Sequence, residues 1–228
     1  MRKVLLVALV LILGIFLLNV EVSTRQGINY RVRELKIPLY LKLLDFFDRN
    51  YNYAHLVKQI IIGSRNEQEE IMKVFEWTHL NIKKNPGSLP VVDDHVWNII
   101  IRGYGDDDQA QDVFATLCNY AGTDAFFAAI TGRPKDSKKY FSFVRLGNKW
   151  ALFDVYNGIY FKNQKDEIAG INDLLSDNWK ALSLTGTSCA IDYREYFGRL
   201  PSIDCTGYKL KRSSIQSPLR RLVFFLKH

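Results

Sequence analysis

Residues 102–122, RGYGDDDQAQDVFATLCNYAG, decide how the chain is read. Gly103 and Gly105 shape a turn around Tyr104, and the polar residues that follow lead into a helix expected to start near Asp107. Val113, Phe114, Leu117, Cys118 and Ala121 recur at the spacing of one helical face, and Gly122 suits the left-handed conformation that ends many helices. Asp106 and Gln109 have the spacing of a capping box, and acidic residues in a first turn gain about 0.3–1 kcal/mol each from the helix dipole. The same dipole lowers the pKa of a thiol, so hydrolases and acyl transferases often place a nucleophilic cysteine there. Here Asp106, Asp107 and Asp108 fill the place.

Downstream, residues 125–130 (AFFAAI) read as a buried strand. Residues 139–161 (KYFSFVRLGNKWALFDVYNGIYF) read as a hairpin turning at Gly147 and Asn148. Ile168, Ile171, Leu174, Leu175 and Leu182 mark a further helix. Upstream, residues 38–61 carry apolar side chains at helical spacing, with a break expected near Asn50, Tyr51 and Asn52. Ser64 and Glu67 form a capping box for a helix bearing Ile71, Val74, Phe75, Thr78 and Ile82, which stops before Pro86 and Gly87. Residues 87–105 read as a loop of turn residues around short apolar runs. Helices followed by antiparallel strands predict an α+β domain with the helix that starts at Asp107 packed on an antiparallel sheet.

With 228 residues, 47% hydrophobic and 24% charged, the chain can build one sizeable core, and residues 38–228 are read as one domain. The net charge of +7 suits anionic partners, but no nucleic-acid module is present and nucleic acid is excluded as a partner. Arg2 and Lys3 precede an apolar run at residues 4–20. As a helix it is about 25 Å long, near the lower limit for a hydrocarbon core of about 30 Å. A cleaved signal peptide is the alternative, but Asn19, Val20, Glu21 and Val22 offer no small-residue cleavage site. Residues 1–22 are therefore expected to be a transmembrane anchor and residues 23–37 a linker. The short basic N-terminus favours a domain on the extracytoplasmic side, although Arg25, Arg31, Arg33 and Lys36 follow the span. Residues 218–228, PLRRLVFFLKH, combine basic and apolar side chains and either pack or touch a membrane surface. Cys189 and Cys205 are disulfide candidates in an oxidising compartment, a bridge of that loop length contributing about 3 kcal/mol. Two separate reduced cysteines are the other possibility.

Three runs carry a family resemblance: FEWTHLNIKKNP at residues 75–86, GYGDDDQAQDVFATLCNYAGTDAFF at 103–127, and GNKWALFDV at 147–155. Together they resemble the transglutaminase-like superfamily across roughly residues 60–160. The resemblance implies a papain-like fold, in which a cysteine begins a helix packed on an antiparallel sheet while a histidine and an aspartate come from neighbouring strands. Imidazole and helix dipole make the thiolate, and the aspartate orients the histidine. Carried onto this chain, the cysteine position falls on Asp107 (on Asp106 with a one-residue slip), the histidine position on Tyr140 and the aspartate position on Asp154. Only the third is kept. The histidines are His55, His79, His95 and His228, so none lies on the hairpin. Cys118 sits three turns inward on the apolar face, a core position. The expectation is a catalytically degenerate, membrane-anchored domain acting as a binding or scaffolding module at the cell envelope, with an envelope protein or glycan as partner and no cofactor.

A second reading gives the aspartates the work. An aspartate has a reference pKa of about 3.9, and neighbouring carboxylates raise one another. Asp93, Asp94 and His95 precede the glycine turn, and a folded-back loop brings them towards Asp106, Asp107 and Asp154. Such a set suits Mg, Ca or Mn. No metal-binding spacing is present, and no metal is assigned. Trp97, Tyr104 and Tyr140 are candidate stacking surfaces for a sugar or peptide, and Asp108 and Gln109 complete the candidate cleft.

Overall fold

The computed structural model describes residues 2–28, 31–87, 94–132, 137–186 and 191–198, together with residues 200, 217, 219, 222, 223 and 226. Asp93, Cys189 and Cys205 lie outside them. The apolar run forms α1 (Arg2–Leu18), 17 residues with none buried. The Asn19 amide ends it by donating to Ile15 O at 2.8 Å. Among the described residues no helix is long and apolar enough to cross a membrane. The expected span of residues 1–22 is thus a shorter apolar helix, because the chain turns into a strand at Glu21. The expected linker is a hairpin, with β1 (Glu21–Ile28) antiparallel to β2 (Arg31–Pro38). Val22, Thr24, Val32 and Ile37 favour that extended backbone.

Helix α2 (Leu39–Ile60) runs without a break through Asn50, Tyr51 and Asn52. Tertiary contacts override the weak local propensity: Tyr53 is buried beside Tyr120 and Trp97, and the Tyr120 hydroxyl donates to Asn50 Oδ1 at 3.1 Å. Helix α3 (Glu67–Asn81) is capped by Asn66 rather than Ser64. Asn66 Oδ1 accepts from the Glu69 N–H, while the Glu69 carboxylate accepts from the Arg65 N–H, both at 2.9 Å. Its buried residues are Ile71, Val74, Phe75 and Thr78, as the periodicity predicts.

The stretch read as a loop before the glycine turn contains α4 (Val96–Arg102). On either side of it in sequence, β3 (Lys83–Lys84) and β4 (Tyr104–Gly105) pair in parallel, tying the end of α3 to the turn. Helix α5 (Asp107–Ala121) starts and stops where expected, with Gly122 at φ 102°. A five-stranded antiparallel sheet follows, ordered β5 (Ala125–Thr131), β6 (Lys138–Leu146), β7 (Lys149–Asp154), β8 (Ile159–Lys162) and β9 (Lys180–Ser183). Strand β5 is an edge strand and only partly buried. The helix expected after Ile168 is reduced to α6 (Ile171–Leu175), and Leu182 belongs to β9, opposite Tyr160. A short α7 (Arg194–Phe197) completes the described elements.

Alternation along the strands divides the apolar residues between two layers. On one face, α5 packs with α3 and α2; the Phe75, Phe114 and Phe153 rings lie 5.2–5.7 Å apart and Cys118 is enclosed with them. On the other, Phe141, Phe143, Leu152 and Phe161 pack with Tyr193, Tyr196 and Phe197. Full burial of each such phenylalanine stabilises by about 1.5–3 kcal/mol. The molecule is a mixed α and β fold with a central helix on an antiparallel sheet, and the start of that helix stands at the edge between the two layers.

Candidate functional site

The glycine turn is locked onto α5 by Gln109. Gln109 Oε1 accepts from the Asp106 N–H at 3.1 Å and from Arg102 Nη2 at 2.8 Å, and Gln109 Nε2 donates to Asp94 Oδ1 at 2.5 Å. A Cβ on Gly105 would stand 2.9 Å from Gln109 Oε1, so any larger residue there would displace the Gln109 side chain from its hydrogen bonds. Asp108 Oδ1 accepts from the Gln109 N–H at 3.0 Å, and burial raises the Asp108 pKa. Asp94, Asp106, Asp108 and Gln109, read as cleft candidates, therefore form the scaffold of the helix start.

The predicted approach of His95 to the aspartates takes another form. His95 caps α4, its Nδ1 accepting from the Trp97 N–H at 3.2 Å, and Trp97 stands edge-on to Tyr53 at 5.4 Å. The Arg102 guanidinium lies 5.5 Å over the Tyr104 ring. Among the described residues no group of three or more His, Cys, Asp or Glu could hold a metal ion. Asp94 is turned onto Gln109 and Asp154 onto the far sheet layer, so the carboxylates do not converge as a ligand set.

What does converge is Asp107, Lys139 and Asp154. Lys139 Nζ lies 2.9 Å from Asp154 Oδ2 and 3.5 Å from Asp107 Oδ2. Alternation puts Lys139 on the same face of β6 as Phe141 and Phe143, and its ammonium is 5.8 Å from the Phe141 ring. Asp154 is fully buried and saturated: its Oδ2 also accepts from the Tyr193 hydroxyl at 2.6 Å and Asn157 Nδ2 at 2.9 Å, and its Oδ1 accepts from the Asn157 N–H at 3.3 Å. Asp107 is held by Gln111 Nε2 at 3.2 Å and the Tyr140 N–H at 3.4 Å. Gln111 is itself buried. Its Oε1 accepts from the Ser142 hydroxyl at 2.8 Å and the Val155 N–H at 3.4 Å, clamping the helix to β6 and the end of β7.

Electrostatics separates the three groups. Burial raises the Asp107 pKa, with Lys139 pulling it down and Asp154 pushing it up by a smaller amount. For Lys139 burial alone lowers the pKa, but Asp154 and Asp107 together carry it above its ordinary value. The result is a carboxylate, an ammonium and a second carboxylate in line. The amine keeps its proton, and both carboxylates are engaged with it.

The expectation for Tyr140 is corrected here. Its backbone reaches Asp107, while its ring lies 6.3 Å from Phe127 and beneath the Lys138 ammonium at 4.9 Å. The side chain delivered to Asp107 and Asp154 comes from Lys139, one residue earlier and on the opposite strand face. The signal was the apolar phase of Phe141 and Phe143, which places Lys139 on an inward row. Gln111, Asn157 and Tyr193 were also missed, since no motif marks them. Cys118 is fully buried, and burial drives its thiol pKa well above the ordinary value, as a core cysteine requires. At the rim, Lys84 Nζ stands 4.6 Å over the Tyr156 ring and donates to Asn157 Oδ1 at 2.9 Å. The Tyr156 pKa is raised by burial first and then by Asp106 and Asp107.

No family model matches the chain, and no curated protein matches it. Among solved structures, it is similar to a candidate cysteine protease from Cytophaga hutchinsonii, with a TM-score of 0.39 and 12% identity over 62% of this chain and 51% of that one. It is also similar to a candidate protease from Parabacteroides distasonis, with a TM-score of 0.39 and 13% identity over 75% of this chain and 40% of that one. The chain thus spans about half the length of the first and two fifths of the second.

Proposed function

We propose that this chain is a catalytically degenerate transglutaminase-like domain, held at the membrane by α1 with the domain on the extracytoplasmic side, that serves as a binding or scaffolding module for an envelope protein or glycan. One observation carries the reading: Lys139 bridges Asp107 and Asp154 at the start of α5. In a thiol enzyme of this kind the resting site holds thiolate, imidazolium and carboxylate, a negative–positive–negative sequence at a helix N-terminus. Aspartate, lysine and aspartate repeat that order of charge without a thiol and without an imidazole. The electrostatic frame is kept and the acyl chemistry is gone. The purified full chain, assayed for amidase, peptidase and transglutaminase turnover, is expected to show none above that of Asp107→Ala and Asp154→Ala. Turnover present in the native chain and lost in either variant refutes the reading.

A second reading is favoured by the raised pKa of Asp107. A carboxyl shifted upward beside an ammonium and another carboxylate has the makings of a general acid on a glycan or ester. It requires activity towards such substrates that falls as pH rises through the Asp107 pKa, and that is abolished in Asp107→Asn.

A further inference from the structure

Helix α2 belongs to the core only in its second half. Its buried residues are Tyr53 and Val57, and none of residues 39–52 is buried. Yet that first half is strongly apolar: Tyr40, Leu41, Leu44, Phe47 and Tyr51 are all exposed, Leu44 at 58% and Tyr51 at 67%. Tyr40, Leu44, Phe47 and Tyr51 recur at the spacing of one helical face, in an arc of about 60°. The stripe starts where α1 ends. The Leu39 N–H donates to Val20 O at 2.9 Å, beside the paired strand ends Glu21 and Pro38. The Lys42 ammonium donates to Ser23 O on the same hairpin. The exit of α1 and the first turn of α2 are therefore tied together, and Leu17, Leu18 and Val20 are exposed on the other side of the tie.

We infer that the first turns of α2, with Tyr40, Leu41 and Leu44 foremost, lie in the interfacial layer of a lipid bilayer beside α1. The inference rests on the anchoring by α1 proposed above. Whether α1 crosses the bilayer or lies along it, its Val20 end stands at the interface, and the hydrogen bond to Leu39 brings α2 to the same depth. Leu44 is about 7.5 Å of helix beyond Leu39, and the interfacial layer on each side of a bilayer is about 5–7.5 Å deep. These side chains therefore reach that layer whatever the tilt of α2. Helix α1 is about 25 Å long against a hydrocarbon core of about 30 Å, and apolar side chains at its exit add the lipid contact that a short helix lacks. Charge sets the kind of surface. Lys42 is turned onto the hairpin, while Asp45 and Asp48 are exposed near the stripe. The contact is apolar, so a zwitterionic bilayer suffices and salt leaves it unchanged. A second copy would also cover the stripe, but α1 brings lipid, not a second copy, to its start.

Photocrosslinking reads the contact directly. The full chain is reconstituted into phosphatidylcholine vesicles with p-benzoylphenylalanine replacing Leu11, Leu44 or Leu175, one position at a time, and adducts are identified by mass spectrometry. Leu11 reports α1, and Leu175, exposed on α6, is the comparison for Leu44. Lipid adducts at Leu44 are expected to exceed those at Leu175 by at least about tenfold, in low and in high salt alike. A yield at Leu44 no higher than at Leu175, a yield that collapses in high salt, or adducts joining two chains in place of lipid overturns the inference. Lipid adducts at Leu11 with none at Leu44 overturn it alone. No lipid adducts at Leu11 overturn the anchoring by α1, and none at either position overturns both.

Discussion

Lys139 Nζ stands 2.9 Å from Asp154 Oδ2, and Asp154 has no exposure to solvent. The pair is anchored on its far side by Tyr193 and Asn157, so Asp154 is fixed whether or not Asp107 is charged. Asp107 is the adjustable member: it is more exposed and farther from the ammonium, and it has Gln111 and the Tyr140 N–H as neutral partners. The two carboxylates therefore differ in what their removal does.

Lys139→Met leaves Asp107 and Asp154 facing one another without a cation. Breaking a buried pair from one side costs about 3–5 kcal/mol. Asp107→Asn keeps the shape, leaves Lys139 paired with Asp154, and removes a carboxylate that burial disfavours. Its expected effect is between no change and a gain of about 1 kcal/mol. Urea unfolding of the two variants checks this, and an Asp107→Asn loss as large as that of Lys139→Met would contradict the assignment.

The same groups set a pH dependence of opposite origin at the two ends of the scale. The folded Asp107 pKa is above its unfolded value of 3.8, so the folded state binds that proton more tightly. Stability from this group is greatest in acid and declines as pH rises from 3.8 through the folded pKa. The Lys139 pKa is above 10.5, so its stabilisation is complete below 10.5 and is lost as pH rises through the higher folded value. Relative to Asp107→Asn, the native chain should lose stability on leaving acid. Relative to Lys139→Met, its advantage should survive up to strongly alkaline pH. Denaturation series across pH test both signs; a native chain that gains on Asp107→Asn as pH rises from acid refutes the first.

Cys118 is expected to resist thiol reagents in the folded protein. It is fully buried and its pKa is raised by burial, so both access and thiolate fraction are low. Alkylation at Cys118, read peptide by peptide, should rise by orders of magnitude in denaturant. Rapid native labelling would place this sulfur in an open crevice and reopen acyl chemistry.

The sequence carried α5 almost completely, because its signals are local: an apolar face, a polar first turn and a terminal glycine. Asp107 was legible as the start of that helix for the same reason. Lys139 was not, since it was read only as the first residue of the hairpin, and the pairing of β6 with β7 is what brings it to Asp154. Register is a long-range property, and a shift of one residue exchanges Tyr140 for Lys139 at the site. The unbroken α2 was hidden likewise, because the tertiary partners of Asn50 and Tyr53 are distant in sequence.

The cap of α3 separates two nearby candidates. Asn66→Ala removes the acceptor for the Glu69 N–H and is expected to cost about 1 kcal/mol. The Ser64 hydroxyl is buried without a hydrogen-bond partner among the described residues, so Ser64→Ala should be neutral within about 0.5 kcal/mol. Thermal unfolding ranks the two, and a larger loss at Ser64 would return the cap to the position its sequence spacing suggests.

The strand end that bears Asp154 is held from α3 through His79. His79 Nδ1 lies 2.9 Å from Val155 O, and Gly158, at φ 66°, closes the turn directly against the ring. A Cβ there would stand 2.7 Å from His79 Nε2. Gly147, at φ 57° in the β6–β7 turn, meets nothing within 4 Å. Both Gly→Ala changes therefore carry left-handed strain of about 1–2 kcal/mol, but only Gly158→Ala adds overpacking of about 1–3 kcal/mol. That excess belongs to the imidazole, so Gly158→Ala made in a His79→Ala background should cost no more than Gly147→Ala. A double-mutant cycle in urea measures the coupling. A zero coupling energy would mean that His79 does not brace the turn following Asp154.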